Sequence, residues 1–120
     1  MANPVVHFEI NSQNAARMRE FYSGLFGWEM SEMPEMSYTM VMPGTDPGIN
    51  GGIGQVDNPD EAWATFYVEV DDPQRYLDEA VAKGGTVVSP VMEIPGVVTT
   101  AVFADPDGHR IGLVKSAPPQ

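Results

Sequence analysis

The side chains of this chain that could carry chemistry lie on two short alternating segments, residues 5–11 and 64–70. The first supplies an imidazole, a carboxylate and an amide, and the second supplies a hydroxyl, a phenol and a second carboxylate. Imidazoles and carboxylates are the usual groups of acid–base catalysis, and paired carboxylates also bind cations. The candidate catalytic residues are therefore His7, Glu9 and Glu69, and the candidate ligand-binding residues are Asn11, Thr65 and Tyr67.

Each of these candidates also has a purely structural explanation. His7 would then be a polar group bonded to Glu9 or to the backbone, and Tyr67 would fill the core with its hydroxyl bonded. Glu9 and Glu69 would be solvated near strand ends, or paired with Arg17, Arg75 or Arg110. The sequence leaves both interpretations open.

The elements that must position these groups can be predicted from hydrophobic periodicity. Residues 5–10 follow the two-residue alternation of a β-strand. This pattern places Phe8, with the apolar residues two positions before and after it, on one face and His7 and Glu9 on the other. Residues 14–26 carry the apolar stripe of an amphipathic helix, with Asn14 or Ser12 as a cap and Gly27 as its end. Three short β-like runs follow, at 28–33, 37–42 and 51–56.

The second half repeats this order at an offset of about sixty residues. A strand at 64–70 precedes a helix that begins after Asp71-Asp72-Pro73 and ends at Gly84-Gly85. Three more strands are predicted at 86–89, 97–103 and 110–115. The turn Asp105-Pro106-Asp107-Gly108 matches Asp46-Pro47-Gly48 of the first half. The sequence therefore predicts two βαβββ modules, 4–57 and 63–116, in one domain of residues 1–120.

Composition excludes several classes of protein. A formal charge of −11 opposes nucleic-acid binding and suits a cationic ligand. With no cysteine, disulfides, thiolate ligands and a cysteine nucleophile are excluded. The N-terminus lacks the pattern of a secretory signal, and no stretch is long and apolar enough for a membrane span. We therefore expect a cytoplasmic protein with no membrane or nucleic-acid partner.

The order of these motifs resembles the glyoxalase/bleomycin-resistance/dioxygenase superfamily, also called vicinal oxygen chelate, across nearly the whole chain. The resemblance rests on His7, Phe21-Tyr22, Gly27, Gly84-Gly85 and Asp105-Pro106-Asp107-Gly108. It implies an α+β fold in which two tandem βαβββ modules form an incomplete barrel around a small-molecule site, commonly in a homodimer.

The resemblance also implies where a divalent metal would be held, by ligands from the first and last strands of each module. His7 falls at one such position if the family pattern is placed by counting back from the helix. Val5 falls there if the ends of the strands are matched instead, and both residues lie on the same face of the strand. The corresponding residue of the second module is Thr65, and the two glutamate positions fall on Gly54 and Gly112. An open metal site needs about three protein ligands. These positions offer fewer, so a divalent ion could bind only through an incomplete set of ligands, and no cofactor is predicted.

Three functions remain open at this point. The first is metal-independent binding of a small molecule in the cavity. The second is a lyase, isomerase or epimerase of glyoxalase type that acts by proton transfer, with His7 or a carboxylate as base. The third is sequestration of a cationic antibiotic, as in bleomycin resistance, which the acidic composition favours.

Overall fold

The computed structural model describes residues 2–44 and 48–116, and this part of the chain contains eight strands and two α-helices. The order βαβββ occurs twice, which confirms the predicted α+β class. The predicted turn at Asp46-Pro47 lies outside the described residues. The elements are β1 Val5–Ser12, α1 Ala15–Phe26, β2 Glu29–Met33, β3 Tyr38–Met42, β4 Gly51–Gln55, β5 Ala64–Glu69, α2 Pro73–Ala82, β6 Thr86–Ile94, β7 Val98–Ala104 and β8 Arg110–Ser116.

The chain divides into two compact units, which are described separately. The first unit is Val6–Thr65, and the second combines residues 2–5 with 66–116. In the first unit the strand order is β2-β3-β4-β1, with β1 parallel to β4 and the other pairs antiparallel. In the second unit the order is β6-β7-β8-β5, with β5 parallel to β8 and the other pairs antiparallel. Neither helix of the described residues is long and apolar enough to span a membrane.

In the first unit, α1 covers one face of the sheet. Asn14 caps the helix by accepting a hydrogen bond from the backbone N–H of Arg17, and Gly27 ends it in a left-handed conformation. Ala15 of the helix packs on Val41 and Ile53, both fully buried. Phe8 and Ile10 of β1 pack against the same cluster, so this face is the apolar one.

In the second unit, α2 plays the same part. Asp72 caps it by accepting from the N–H of Arg75, and Pro73 occupies its first turn, where no hydrogen bond from its nitrogen is needed. Leu77 of the helix is buried against Val70, Ala101 and Leu113. Each unit thus buries one face of a mixed sheet under its own helix.

The strand β6 extends beyond its predicted range of 86–89 to Ile94. The pairing of β6 with β7 shifts register between Val87 and Ser89 and again between Ser89 and Met92. Proline is normally confined to edges and bulges because it lacks a backbone N–H. The predicted strand was too short, because the irregular pairing between Ser89 and Met92 allows the strand to continue through Pro90.

Candidate functional site

The face of the first sheet that lies away from α1 carries the polar candidates. Because side chains alternate along β1 and Phe8 and Ile10 face the helix, His7, Glu9 and Asn11 lie on the opposite face. Strand pairing places Gly52 opposite Glu9 and Gly54 opposite Asn11 on that same face. Tyr38 of β3 joins them, since it pairs with Gly54 from the other side of β4.

These side chains form a continuous hydrogen-bonded chain. The Nε2 atom of His7 lies 2.9 Å from the hydroxyl oxygen of Tyr38, and that hydroxyl donates to Oε2 of Glu9 at 3.0 Å. Asn11 donates from Nδ2 to the other carboxylate oxygen, Oε1, at 3.0 Å. All four residues are partly buried. We call this chain, His7–Tyr38–Glu9–Asn11, the polar network.

Two glycines of β4 make room for the polar network. A Cβ atom at Gly52 would coincide with the hydroxyl end of Tyr38, and one at Gly54 would overlap Oδ1 of Asn11. Both glycines are buried. The glycine-rich segment at 51–54 therefore packs closely against the side chains of the polar network.

The imidazole of His7 is shifted toward its neutral form. Burial lowers the pKa of His7 from its ordinary value of 6.5, and the nearby Glu9 carboxylate opposes this in part. His7 therefore favours its neutral form more than an ordinary histidine does. A neutral imidazole in a hydrogen-bonded chain can accept a proton or a hydrogen bond from a ligand.

The remaining candidates are Thr65, Tyr67 and Glu69. Thr65 belongs to the first unit and is partly buried. Tyr67 and Glu69 belong to the second unit, where the ring of Tyr67 covers Gly112 and the exposed carboxylate of Glu69 lies 3.5 Å from Oγ of Ser116. The structure thus links Glu9 to Asn11 directly and to His7 through Tyr38, while Tyr67 and Glu69 make their described contacts in the second unit.

Glu9 and Glu69 match in sequence but occupy different positions in their strand pairs. Glu9 pairs with Gly52, two residues before Gly54, whereas Glu69 pairs with Val114, two residues after Gly112. Counted from the matching glycine of each module, the positions of the two carboxylates along their strands therefore differ by four residues. The two carboxylates are not equivalent in the strand ladders.

The residues at the positions implied for a divalent metal do not fit one. Gly54 and Gly112 offer no donor, and the space beside them is taken by Asn11 and by the ring of Tyr67. Thr65 is a poor ligand. Among residues 2–44 and 48–116, no group of three or more histidine and acidic side chains is arranged to hold an ion.

Tyr38 is the member of the polar network that the sequence analysis missed. The predicted strand at 37–42 contained it, but nothing in that strand distinguished its hydroxyl from other surface groups. The signal lay in β4, where the alternate glycines at 52 and 54 leave space for a large side chain on the neighbouring strand.

The second unit also has an open cleft of about 420 Å³ beside α2. Its walls are mostly apolar and include none of the predicted site residues. A cleft of this kind can hold a small molecule, but it lacks a converging set of polar groups. It is lined by Asn3, Val68, Val70, Tyr76, Glu79, Ala80, Lys83, Gly85, Phe103, Asp105, Pro106 and Leu113.

Comparison with known proteins establishes the family. The glyoxalase-like domain matches residues 7–114, which is most of the chain. This chain belongs to the glyoxalase-like domain family. Among curated proteins, the glyoxylase-named protein CFP32 of Mycobacterium tuberculosis is 29 % identical over 90 % of this chain and 43 % of its own length. The chain therefore spans less than half the length of that relative.

Solved structures share the fold of this glyoxalase-like protein. A glyoxalase/bleomycin resistance protein/dioxygenase superfamily member from Vibrio splendidus superposes with a TM-score of 0.63 at 18 % identity, covering 96 % of this chain and all (100 %) of the other. Methylmalonyl-CoA epimerase from Streptomyces coelicolor, in complex with 2-nitronate-propionyl-CoA, gives 0.65 at 15 % identity, covering 98 % and 100 %. These superpositions confirm the predicted fold, and the family match confirms the resemblance to the glyoxalase superfamily.

Proposed function

We propose that this glyoxalase-like domain binds a small molecule at the polar network of its first unit without a divalent metal. The observation that carries the proposal is the chain His7–Tyr38–Glu9–Asn11, set over two glycines. It offers an imidazole, a phenol, a carboxylate and an amide within hydrogen-bonding distance of one another. Such a set can orient a ligand by itself.

The surroundings of the polar network suit an organic ligand. Met40 pairs with Gly52 and Met33 pairs with Tyr38, so both thioethers lie on the same sheet face as the network. Methionine side chains are flexible and polarisable, and they adapt to ligands of different shape. Apolar groups beside a small polar cluster are typical of small-molecule sites.

A metal analysis combined with native mass spectrometry tests this proposal. The protein is purified without chelator, incubated with Ni²⁺, Zn²⁺, Mn²⁺ or Fe²⁺, and desalted before metal content and bound mass are measured. We expect substoichiometric metal that is the same in wild type and in His7→Ala. Stoichiometric metal that is lost in His7→Ala, but kept in the control His109→Ala, would contradict the proposal.

A second function, proton transfer on a carbon acid, is favoured by the neutral state of His7. A base that is unprotonated at neutral pH and linked to a carboxylate through a phenol can take up a proton and share its charge. The fold neighbour methylmalonyl-CoA epimerase makes its own named substrate a reasonable first probe.

Hydrogen exchange tests this second function. Methylmalonyl-CoA is incubated with the protein in D₂O, and deuterium at the carbon between the two carbonyls is followed by mass spectrometry. Enzyme-dependent exchange that falls at least tenfold in His7→Gln and Glu9→Gln would support it. Binding of a ligand without exchange or turnover would support the first function and reject the second. If the ligand is a cationic antibiotic, its binding should also weaken as the salt concentration rises.

A further inference from the structure

The cleft beside α2 lies over the hydrophobic core of the second unit. Val70 and Leu113 are only 4 % and 3 % exposed, and they belong both to the core cluster and to the lining of the cleft. Val68, Tyr76 and Phe103 pack against the same cluster and also line the cleft. Its volume of about 420 Å³ falls within the range of roughly 300–1,000 Å³ that small-molecule sites occupy. A molecule in the cleft would therefore extend the apolar core.

The repeat allows the two helices to be compared position by position. Asn14 caps α1, and Asp72 caps α2. Counted from these caps, Met18 of the first helix corresponds to Tyr76 of the second. Each of these two side chains packs against the core cluster of its own unit, which supports the matching.

One turn further along, the matched side chains differ greatly in size. Tyr22 of α1 corresponds to Ala80 of α2. Tyr22 packs against the core cluster of the first unit, and its ring stacks on that of Trp28 with centroids 5.8 Å apart and planes inclined by 14°. Ala80 has only a methyl group, and it lines the cleft. The second unit is thus open at the helix position where the first unit carries a stacked ring.

Hydrogen bonds hold the walls of the cleft in place. The backbone oxygen of Ala80 accepts from the N–H of Lys83 at 3.2 Å and from the N–H of Gly85 at 2.8 Å. The hydroxyl of Tyr76 accepts from Nδ2 of Asn3 at 3.2 Å. A site that is formed before the ligand arrives avoids the entropic cost of ordering its walls.

The charges around the cleft oppose an anion. Glu79 and Asp105 contribute carboxylates to the lining, whereas Lys83 contributes one ammonium group. The whole chain carries a formal charge of −11. Both carboxylate oxygens of Asp105 lie within 3.3 Å of Nδ1 of His109, in the turn that contains them. A cation in the cleft would therefore meet the carboxylate of Glu79 beside a like charge on Lys83.

We propose that the cleft beside α2 is a second binding site, which takes a small uncharged aromatic molecule whose ring fills the space that Ala80 leaves open. Tyr76 and Phe103 line the cleft, and aromatic side chains are surfaces on which another ring packs favourably. The lining includes no residue of the polar network. This second site is therefore independent of the proposed function.

Methyl NMR of the intact protein, with indole as the probe, locates the site. Indole is aromatic and uncharged, and the methyl groups of alanine, valine, leucine and methionine are labelled with ¹³C. We expect saturable shifts, with nuclear Overhauser contacts from indole to the methyl groups of Val70, Ala80 and Leu113. Contacts confined to methyl groups of the first unit, or the absence of a saturable shift, would overturn the proposal, whatever the polar network binds.

Filling the cleft should block the binding of indole. Ala80→Phe introduces a ring at the open position, and we expect the affinity for indole to fall by roughly tenfold or more. Ala82→Phe adds the same ring at an exposed position of the same helix and should change the affinity by less than about twofold. Thermal melts followed by circular dichroism show which variants fold, and the smaller change Ala80→Leu replaces Ala80→Phe if that protein does not. Wild-type affinity in a folded Ala80 variant would overturn the proposal.

Indole-3-acetate tests the class of the ligand, because it carries the same ring with a carboxylate attached. We expect it to bind roughly fivefold or more weakly than indole at low salt, since the surrounding field opposes an anion. The same methyl signals of the second unit report both titrations. Equal or tighter binding of indole-3-acetate would overturn the proposed ligand class.

Discussion

The two units pair their first and last strands in the same way, but they differ in the side chain that lies beside a buried glycine of the last strand. In each, the first strand pairs in parallel with the last, and a buried glycine of the last strand lies beside a side chain of the first. In the first unit this pair is Gly54 with Asn11, and in the second it is Gly112 with Tyr67. The amide extends a chain of polar groups, whereas the ring covers its glycine completely.

This difference shows how a repeated scaffold acquires a site in one copy. A small amide opposite the glycine leaves room for Glu9, Tyr38 and His7 to meet beyond it. In the second unit the ring of Tyr67 occupies the matching point and lies over Gly112 instead. The residue opposite the glycine, rather than the number of acids on the strand, distinguishes a polar face from a packed one.

The largest effect is expected where a glycine lies under a ring. A methyl group at Gly112 would overlap the Tyr67 ring, including Cγ at 2.7 Å, close to its backbone attachment, so the ring cannot swing away easily. Overpacking of this kind costs roughly 1–3 kcal/mol, and we expect Gly112→Ala to lower the free energy of unfolding by about 2–3 kcal/mol. Chemical denaturation measures it.

Two further glycines serve as controls for that measurement. Gly52→Ala meets the hydroxyl and the adjoining ring carbons of Tyr38, which are the far end of that side chain, so it should cost less, about 1–2 kcal/mol, while breaking the polar network. Gly24 is exposed within α1, with open space around it, and Gly24→Ala should raise stability by about 0.5–1 kcal/mol. A smaller cost for Gly112→Ala than for Gly52→Ala would contradict the contrast between the units.

The next largest effect is a difference between the two units in the stability contributed by the hydrogen bond to each carboxylate. Tyr38→Phe removes the hydroxyl that donates to Glu9, and a hydrogen bond to a charged group contributes about 1.5–3 kcal/mol at most sites. We expect a loss of about 1–2 kcal/mol, since the site is only partly buried. Ser116→Ala removes the long, exposed contact to Glu69 and should change stability by less than about 0.5 kcal/mol. Equal losses in thermal denaturation would argue against a distinct network.

The smallest effect is a pH dependence that originates in the first unit. Burial lowers the pKa of His7 below 6.5, so the folded protein binds fewer protons at this group than the unfolded chain does. The stabilisation is present above the unfolded pKa and is lost as the pH falls through the folded one. We expect the free energy of unfolding to fall as the pH decreases below the ordinary histidine pKa of 6.5, and screening by solvent should keep this loss small.

The variant His7→Gln, which cannot titrate, should flatten this dependence. His109→Gln is the control, because His109 is exposed in the turn after Asp105 and lies outside the polar network. Denaturation curves collected at several pH values give the slopes. A slope that changes in His109→Gln but not in His7→Gln would show that the pH response does not come from the first unit.

Alternation along the strands predicted much of this structure. It placed His7, Glu9 and Asn11 on the face away from α1, and the caps at Asn14 and Asp72 marked where both helices begin. These features are local, because each depends on the residue types within a few positions of the chain.

The register of the strands could not be predicted in this way. Moving a strand by two or four residues keeps every side chain on the same face, so alternation cannot detect it. The sequence offset therefore made Glu9 and Glu69 look equivalent, although they pair four positions apart relative to Gly54 and Gly112. The position of Tyr38 over Gly52 depends on the same long-range pairing and was missed for the same reason.

The strand β6 forms one edge of the second unit's sheet, and its irregular course affects which assemblies this edge can join. An edge strand with regular backbone groups invites pairing with a strand from another molecule. Pro90 supplies no N–H, and the two register shifts interrupt the regular spacing of donors and acceptors. We therefore expect this edge to resist strand-to-strand aggregation, even in concentrated solution.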